Sequence, residues 1–377
     1  MVEENTFKDG WVLQFCHGYD GPFLDCARQY AVLFKDTGYR VCTVYLTGEP
    51  REEVIAGSAS DEVIFLNFSS RDIRGLKLKA CLALKKIAAS RRFHFCIAHR
   101  FKPTYIALLA TTLPVIGVQH AFGVYNRKSR RLFANLFRSR LLLLGVSNAV
   151  RDDVRACLPK WPGERIETLY NRIDVKAVQS KQVSREAARR SLGVPQDAWV
   201  IGNVGRLHPD KDQRTLIKGF AEALPTLPAG SLLLLVGAGR LEEELKALVA
   251  RLGIGDQVLF AGLVPEAFRY FKAFDAFVLS SGNEGFGMVL IEAMAAGVPV
   301  ASSSSKAGCE IVANAKALFP AGDHLRLAEK LVELSQDSEI ERSKNIQNAY
   351  ARLNQEFSDE TARRRFVDEI LPRIQAR

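Results

Sequence analysis

Short apolar runs of strand length alternate with segments of helical period along nearly the whole of this 377-residue chain. In the first half the alternation predicts strands near 11–18, 40–47, 63–68, 94–98, 114–119 and 141–147, and helices near 23–35, 76–90, 104–111 and 127–139. Continuously apolar strands separated by helices are typical of a parallel sheet covered on both faces. The first half is therefore predicted to form a doubly wound α/β domain.

The alternation stops in the polar stretch 174–198, which we interpret as a linker, and then resumes. The second half predicts strands near 199–204, 231–236, 257–261, 276–280 and 299–303, and helices near 213–224, 241–252, 267–273, 286–296 and after Asp323. The length also exceeds what one hydrophobic core usually spans. We predict two Rossmann-like domains, 1–180 and 190–355, which face each other across a cleft, and a C-terminal helix at 356–377 that returns to the first domain.

The excess positive charge is confined to the first half. Residues 1–180 contain 27 Lys and Arg against 17 Asp and Glu, which accounts for the whole net charge of +10. No acidic residue occurs between Asp72 and Asp152. Such a one-sided block indicates an anionic partner, which could be a phosphate, a nucleic acid or a membrane surface.

The cysteines and the N-terminal segment indicate the compartment. The seven cysteines are scattered and form no C-x-x-C pair. The first residues are acidic, and no apolar run reaches the roughly 18 residues of a spanning helix. A cytoplasmic location is predicted, and peripheral binding at the inner face of the cytoplasmic membrane stays open.

Two segments that follow predicted strands carry candidate chemistry. Gly205 and Arg206 are followed five residues later by Lys211. A glycine permits close backbone approach, and two cations can neutralise a diphosphate. Asp210 and Asp212 flank Lys211 like a metal-binding pair, but the neighbouring cations favour no metal there.

The second segment runs from Glu284 to Glu292 and includes the start of a helix predicted from Phe286. Glycines at a helix start leave backbone N–H groups available to a phosphate, and the helix dipole adds to this attraction. Glu292 is predicted about two turns into the helix, on the same side as Glu284. A single carboxylate in so apolar a helix indicates a functional role.

Together these segments resemble motifs of the retaining GT-B glycosyltransferases of family 4, which use nucleotide-sugar donors. Residues 284–292 resemble the family's E-x7-E motif, and Gly205-Arg206 with Lys211 resembles its phosphate-binding pair. Residues 307–312 resemble its G-G-x-x-E-I-V segment. The resemblance is dense over 199–323 and more diffuse before Asn171.

The resemblance implies a role for each matching residue. Arg206 and Lys211 would neutralise the donor diphosphate, which is also the leaving group. Glu284 would bind hydroxyls of the transferred sugar, and Glu292 would bind the ribose. The resemblance also implies that backbone groups near the phosphates bind the donor, at Gly205, Gly285, Phe286, Gly287 and Met288. An apolar wall for the base is implied at Leu263 and Val264.

His120, at the end of the predicted strand 114–119, matches the family's active-site histidine on the acceptor domain. The family is described as lacking a conserved enzyme nucleophile, and its leaving phosphate is thought to assist deprotonation of the acceptor. Positioning and charge stabilisation would then supply most of the rate. The resemblance implies no metal and no cofactor besides the nucleotide-sugar co-substrate.

Several glycines depart from the family pattern. Gly21, which is followed by Pro22 at the expected first helical position, is assigned the close backbone approach to the donor. Arg172 and Ala307 stand where the family has glycines. Residues 237–239 (Gly-Ala-Gly) lack the third glycine of a dinucleotide fingerprint and are interpreted as a tight strand-to-helix turn.

The basic block is also amphipathic. In residues 126–141 the apolar Leu132, Phe133, Leu136 and Phe137 recur at helical spacing among arginines, and residues 76–92 are similarly mixed. A cation beside anionic lipid contributes about 1 kcal/mol. We predict that the N-terminal domain docks on an anionic membrane surface.

These observations predict a retaining hexosyltransferase that moves a sugar from a nucleotide donor, such as a UDP-sugar, to a lipid-linked or phosphorylated cell-envelope glycan, for example lipopolysaccharide core. Two alternatives stay open. A nucleotide-sugar epimerase of the same fold would use the same donor motifs. A non-enzymatic nucleic-acid-binding protein would explain the charge by counterion release but leaves those motifs without a role, so no nucleic acid is predicted as partner.

Overall fold

The computed structural model describes residues 10–375, which divide into two compact units. The first unit contains the chain up to Asn171 together with the residues from Asp359 on, and the second is Arg172–Ser358. Each unit contains a fully parallel sheet with helices between successive strands. The prediction of two parallel-sheet α/β units is confirmed.

The first unit has a seven-stranded sheet in the order β3-β2-β1-β4-β5-β6-β7. Its strands are β1 (Gly10–Cys16), β2 (Tyr39–Tyr45), β3 (Glu62–Phe65), β4 (Phe93–His99), β5 (Val115–Gln119), β6 (Leu141–Gly145) and β7 (Ile166–Thr168). The helices between them are α1 (Phe23–Ala31), α2 (Glu52–Gly57), α3 (Leu78–Ala89), α4 (Phe101–Ala110), α5 (Lys128–Leu136) and α6 (Asn148–Cys157). Strands β5 and β6 are buried at every position, as expected for central strands covered on both faces.

The second unit has a six-stranded sheet in the order β10-β9-β8-β11-β12-β13. Its strands are β8 (Val200–Val204), β9 (Leu232–Val236), β10 (Val258–Gly262), β11 (Ala276–Leu279), β12 (Val300–Ser303) and β13 (Leu318–Phe319). Its helices are α7 (Val175–Lys181), α8 (Arg185–Leu192), α9 (Gln213–Ala223), α10 (Glu242–Leu252), α11 (Met288–Ala295), α12 (Lys306–Val312), α13 (His324–Gln336) and α14 (Glu339–Glu356). Strands β8 and β11 are adjacent, so the loops that follow them leave the same edge of the sheet.

The C-terminal residues form α15 (Asp359–Arg365), a π-helical segment (Phe366–Ile370) and α16 (Leu371–Gln375). They pack on the first unit: the ring of Phe366 lies 5.4 Å from that of Phe34, and Asp359 accepts a 2.8 Å hydrogen bond from Arg28. The chain thus crosses between the units twice, after Asn171 and after Ser358.

The interpretation of 174–198 as a linker is wrong, because this stretch is part of the second unit and contains α7 and α8. Arg189 of α8 is completely buried and donates a 2.8 Å hydrogen bond to Asp275, and Arg185 binds the other oxygen of that carboxylate. Asp275 also accepts from the Val200 N–H at the start of β8. Two arginines of this polar segment are therefore paired with a buried carboxylate of the unit, and removal of Arg189 would leave that buried charge without its partner.

The predicted helix at 267–273 is a 3₁₀ segment, and α2, α6, α12, β7 and β13 were not predicted from the sequence. Between residues 10 and 375 the chain contains no helix that is long and apolar enough to cross a membrane.

Candidate functional site

The loop that carries Arg206 is held by backbone hydrogen bonds to the loop after β9. The Gly205 N–H donates to the Val236 carbonyl at 2.9 Å, and the Leu207 N–H donates to the Ala238 carbonyl at 3.1 Å. The Leu207 carbonyl accepts in turn from the Leu241 N–H at 3.3 Å. The strand-to-helix turn predicted at 237–239 therefore supports the loop of Gly205 and Arg206, which was predicted to bind phosphate and is called the phosphate loop below.

Glycine is required twice in that support. A Cβ on Gly237 would lie 2.0 Å from the Gly205 carbonyl oxygen, and one on Gly239 would lie 2.3 Å from the Leu207 carbonyl oxygen. Gly237 also has φ of +137°, a conformation that side chains disfavour. The two loops approach so closely that only glycine leaves room for the other backbone.

Lys211 and Glu284, which sequence motifs assigned to the same site, form an ion pair. Both side chains are largely buried, and the Ser280 hydroxyl donates to the Lys211 carbonyl at 2.9 Å. Ser280 directly follows β11, so this bond joins the loops after β8 and β11. The structure thus brings the predicted cation and the predicted sugar-binding carboxylate into contact.

Arg206 lies in the same loop with an exposed side chain, and its carbonyl accepts a 3.0 Å hydrogen bond from Gln213 at the start of α9. Asp212 caps α9: its carboxylate accepts from the Thr215 N–H at 3.3 Å and from the Thr215 hydroxyl at 2.6 Å. Oδ2 of Asp210 lies 3.1 Å from Nδ1 of His208. Each carboxylate of the possible metal-binding pair therefore already has a partner.

Residues 10–375 contain no cluster of three His, Cys, Asp or Glu side chains suited to a metal ion.

The segment from Glu284 to Glu292 differs from its prediction. Helix α11 begins at Met288 rather than at Phe286, after Gly287 with φ of +99°. Glu292 therefore lies about one turn into the helix and Glu284 lies in the loop before it, so the helical spacing that placed them on one side does not apply. Gly285, Gly287 and the start of α11 still follow Glu284 directly. The Phe286 ring is buried 5.6 Å from that of Phe357, which anchors this loop.

The late G-G-like segment forms α12, capped by Ser305, whose hydroxyl accepts from the Gly308 N–H at 3.2 Å. A Cβ on Gly308 would lie 2.3 Å from the Ser303 carbonyl oxygen, so this glycine is required by packing. Ala307, which replaces the other glycine, is fully buried. Leu263, assigned to the base, is 81% exposed in the loop after β10, where Val264 is half-buried.

At the start of the second unit, Arg172 does not adopt the left-handed turn of a glycine, since it is absent from the positive-φ residues. Its side chain is completely buried. Asp174 caps α7 by accepting from the Ala177 N–H at 2.9 Å. Where the family has a glycine in a turn, this chain therefore has an arginine whose side chain packs in the interior.

In the first unit His120 follows β5 and contacts three aromatic or sulfur-bearing side chains. Its Nε2 lies 3.3 Å from His99 Nδ1, its Nδ1 lies 3.8 Å from Cys26 Sγ, and its ring meets that of Phe23 edge-on at 6.2 Å. Burial, and then the charge of Arg100, lower the pKa of His120 from 6.5 to about 4. His120 is therefore neutral at pH 7, and one ring nitrogen can accept a hydrogen bond.

His120 lines a cavity of about 360 Å³ at the carboxyl ends of β1, β4 and β5. The sequence reading counted Arg100, Lys102 and Arg130 only as charges and missed His17 and Gln119 as site residues. The available signal was position, because His17, Arg100 and His120 each directly follow a strand. The further lining residues are Phe23, Phe101, Pro103, Ala121 and Val124.

Gly21, the last predicted donor-site glycine, has φ of +60°, and a Cβ there would meet nothing within 4 Å. Its requirement for glycine is conformational, so the close-approach assignment has no steric support within the described residues. Pro22 precedes α1 as its N-cap instead of occupying the first helical position.

Comparison with known proteins adds a family match for the second unit. Residues 184–352 match the model described as glycosyl transferases group 1, a segment that contains the Lys211–Glu284 pair. The chain is 30% identical over 200 residues to an uncharacterized glycosyltransferase of Methanocaldococcus jannaschii, covering 50% of each protein. It is 27% identical over 217 residues to the lipopolysaccharide core biosynthesis glycosyltransferase LpsD of Rhizobium meliloti, covering 56% of this chain and 62% of LpsD.

The chain thus spans about half of the length of the first of these relatives and less than two thirds of the second. Solved structures match it more completely. A glycosyltransferase from Rickettsia africae has a TM-score of 0.84 at 16% identity, over 98% of this chain and 99% of that one. Anabaena HepE in complex with UDP and glucose has a TM-score of 0.77 at 20% identity, over 94% and 98%. The chain therefore has the GT-B fold of these glycosyltransferases, and its second unit carries a glycosyl transferases group 1 segment.

Proposed function

We propose that this protein is a retaining glycosyltransferase that moves a hexose-type sugar from a nucleotide sugar to a lipid-linked or phosphorylated glycan of the cell envelope. The observation that carries the proposal is the Lys211–Glu284 ion pair between the loops after two adjacent strands, inside the family-matched segment. In this proposal Lys211 is the cation for a phosphate, and the adjacent Glu284 is the carboxylate for sugar hydroxyls. In a nucleotide sugar the diphosphate is bonded directly to the sugar, so a cation for one and a carboxylate for the other are expected side by side.

The proposed chemistry depends on charge. As the bond between the sugar and the diphosphate breaks, negative charge grows on the leaving phosphate, and fixed cations stabilise it most at that moment. Arg206 and Lys211 supply those cations, and the backbone from Gly285 to Met288 supplies N–H donors at the start of α11. Glu284 accepts hydrogen bonds from the transferred sugar, and Glu292 from the ribose. The scheme requires no metal or cofactor besides the donor.

His120 is proposed to position the acceptor or sugar by hydrogen bonding. With a pKa of about 4 it is neutral under ordinary conditions and adds no charge at the reacting centre. The acceptor hydroxyl then loses its proton to the departing phosphate oxygen, to which the sugar bond has just broken, so the proton and the electron pair are both accounted for.

Relatives guide the choice of substrates to test. HepE was crystallised with UDP and glucose, and LpsD is named for lipopolysaccharide core biosynthesis. We therefore propose a UDP-hexose as the first donor and a core-type glycan as the first acceptor.

The test is a donor screen. Purified protein is incubated with UDP-, GDP- and ADP-hexoses in the presence of EDTA, and the release of nucleoside diphosphate is measured with and without core oligosaccharide. We expect one donor to give nucleoside diphosphate and a product whose anomeric configuration, read by NMR, is that of the donor. Inversion would contradict the retaining step, epimerised nucleotide sugar would indicate the alternative chemistry, and a strict need for added metal would contradict the metal-free scheme.

We also propose that the first unit docks on an anionic membrane. Leu132 and Leu136 lie one turn apart on α5 and are 74% and 75% exposed, whereas Phe133 packs against the core. Leu78 and Leu82 are similarly exposed on α3. Both helices lie in the interval without acidic residues. Exposed leucines among cations fit the interface of an anionic bilayer.

Replacing Leu132 and Leu136 with serine is expected to lower the vesicle-bound fraction at least about fivefold, because each buried leucine contributes about 2 kcal/mol. The measurement is co-sedimentation with phosphatidylcholine vesicles that contain phosphatidylglycerol, at low and high salt. The matched control replaces Leu325 and Ile340, two exposed residues of the second unit, with serine. Equal loss in the control, or binding that salt does not weaken, would contradict the proposed membrane surface.

A further inference from the structure

The His120 cavity is strongly cationic. Arg100, Lys102 and Arg130 line it, and none of its lining residues between 10 and 375 is an Asp or Glu. Lys102 and Arg130 also line an adjoining cavity of about 360 Å³, to which Lys77 and Arg127 contribute, and here too the described lining residues include no carboxylate. The described lining residues of both cavities belong to the first unit.

Aromatic rings hold two of these cations in place. The Arg100 guanidinium lies 4.6 Å from the Phe23 ring centre, and the Arg130 guanidinium lies 4.6 Å from the Phe101 ring centre and donates to the Val124 carbonyl at 2.9 Å. Burial, followed by the charges of Lys77 and Arg100, lowers the pKa of Lys102. The cations therefore repel one another, and an anion between them would relieve that repulsion.

Polar groups in the cavity wall also lack partners. Gln119 is completely buried, and neither its amide nitrogen nor its amide oxygen has a hydrogen-bond partner among the residues that the structure describes. The same is true of His17 Nδ1. An unpartnered buried amide costs about 1–3 kcal/mol, so such groups are retained where a ligand satisfies them. A phosphorylated glycan offers its phosphate oxygens as acceptors to the amide N–H and its sugar hydroxyls as donors to the amide carbonyl oxygen.

The backbone at Arg100 is strained in the same place. Its φ of +75° and ψ of +165° belong to a region that is essentially reserved for glycine. The strain costs about 1–3 kcal/mol and directs a charged residue from the end of β4 into the start of α4. A glycine would adopt this backbone conformation without the strain, but it would carry no charge.

We propose that this cavity is a subsite for a phosphate group on the acceptor, bound by Arg100, Lys102 and Arg130 with Gln119 hydrogen-bonded to the acceptor beside it. The inference rests on the proposed glycosyl transfer, for which it selects phosphorylated acceptors and places their phosphate near His120. The phosphate can belong to a sugar phosphate or to a lipid diphosphate, which present the same oxygens.

The test measures binding of orthophosphate and pyrophosphate by equilibrium dialysis at constant ionic strength. The protein carries Arg206→Ala and Lys211→Ala, which remove the cations assigned to the donor diphosphate. We expect one bound pyrophosphate, and at least a tenfold rise in Kd after Lys102→Gln or Arg130→Gln. Lys86→Gln, which removes an exposed cation of α3 outside the cavities, is the matched control and should change Kd less than twofold.

Gln119→Leu gives a readout that a diffuse basic surface would not produce, because it removes no charge; we expect a severalfold rise in Kd. Competition by glucose 6-phosphate but not farnesyl diphosphate identifies a sugar phosphate as the source, and the converse identifies a lipid diphosphate. Absence of stoichiometric binding in the folded protein, or an effect of Lys86→Gln equal to that of Lys102→Gln, overturns the inference. Release of nucleoside diphosphate by the unmodified chain in the donor screen would still support the proposed function in that case.

Discussion

Replacing Lys211 with alanine is expected to lower the rate of sugar transfer at least about 100-fold, a loss of about 2.7 kcal/mol of transition-state stabilisation. Lys211 is the cation that directly contacts the proposed sugar-binding carboxylate. Glu284 and a donor diphosphate are both anionic, and the three donors of the lysine ammonium allow it to bind both at once. Without Lys211, the largely buried Glu284 would repel the donor that it is meant to hold.

The measurement compares kcat and KM of the Lys211→Ala protein with those of a Lys218→Ala control, which removes an exposed lysine from the neighbouring α9. Because the lost interaction strengthens as charge develops on the leaving phosphate, kcat should fall more than KM rises. Lys211→Arg, which keeps the charge, should recover part of the rate. Normal kcat in Lys211→Ala would remove Lys211 from the catalytic machinery.

Sequence patterns predicted the fold well where burial follows a simple period. The strand from residue 200 to 204 and the helix from 213 to 223 were each predicted to within one residue of their observed bounds. The pattern failed at α8, because the side chain that matters most there is Arg189, a charged residue that is completely buried. Hydrophobicity is a property of one side chain by itself. The burial of Arg189, in contrast, depends on its pairing with Asp275, 86 positions later.

The candidate site was predicted in the same uneven way. Arg206, Lys211 and Glu284 were assigned to one site because they lie in compact motifs, and the structure brings the last two into contact. Gln119 was missed because a buried amide inside a strand has no sequence signal of its own. Its unpartnered state becomes visible only when every neighbouring backbone and side chain is placed.

The prediction with the other large effect concerns Gly237, which contacts no proposed ligand group. Gly237→Ala is expected to raise the Kd for the donor's nucleoside diphosphate at least about tenfold and to lower the free energy of unfolding by at least about 2 kcal/mol. The new Cβ would lie 2.0 Å from the Gly205 carbonyl oxygen, a backbone atom that cannot rotate away. The loop that carries Arg206 would have to move, and its hydrogen bonds to Val236 and Ala238 would be disturbed.

Gly230→Ala separates this collision from ordinary backbone strain. Gly230 also has a positive φ, +76°, but a Cβ there would meet nothing within 4 Å. Its replacement should cost about 1 kcal/mol of stability, from the left-handed conformation alone, and leave nucleotide affinity unchanged. Urea unfolding and calorimetric nucleotide titration of both variants test the difference. If Gly237→Ala lost only as much stability as Gly230→Ala and bound nucleotide normally, the support of the phosphate loop by the loop after β9 would not be needed for donor binding.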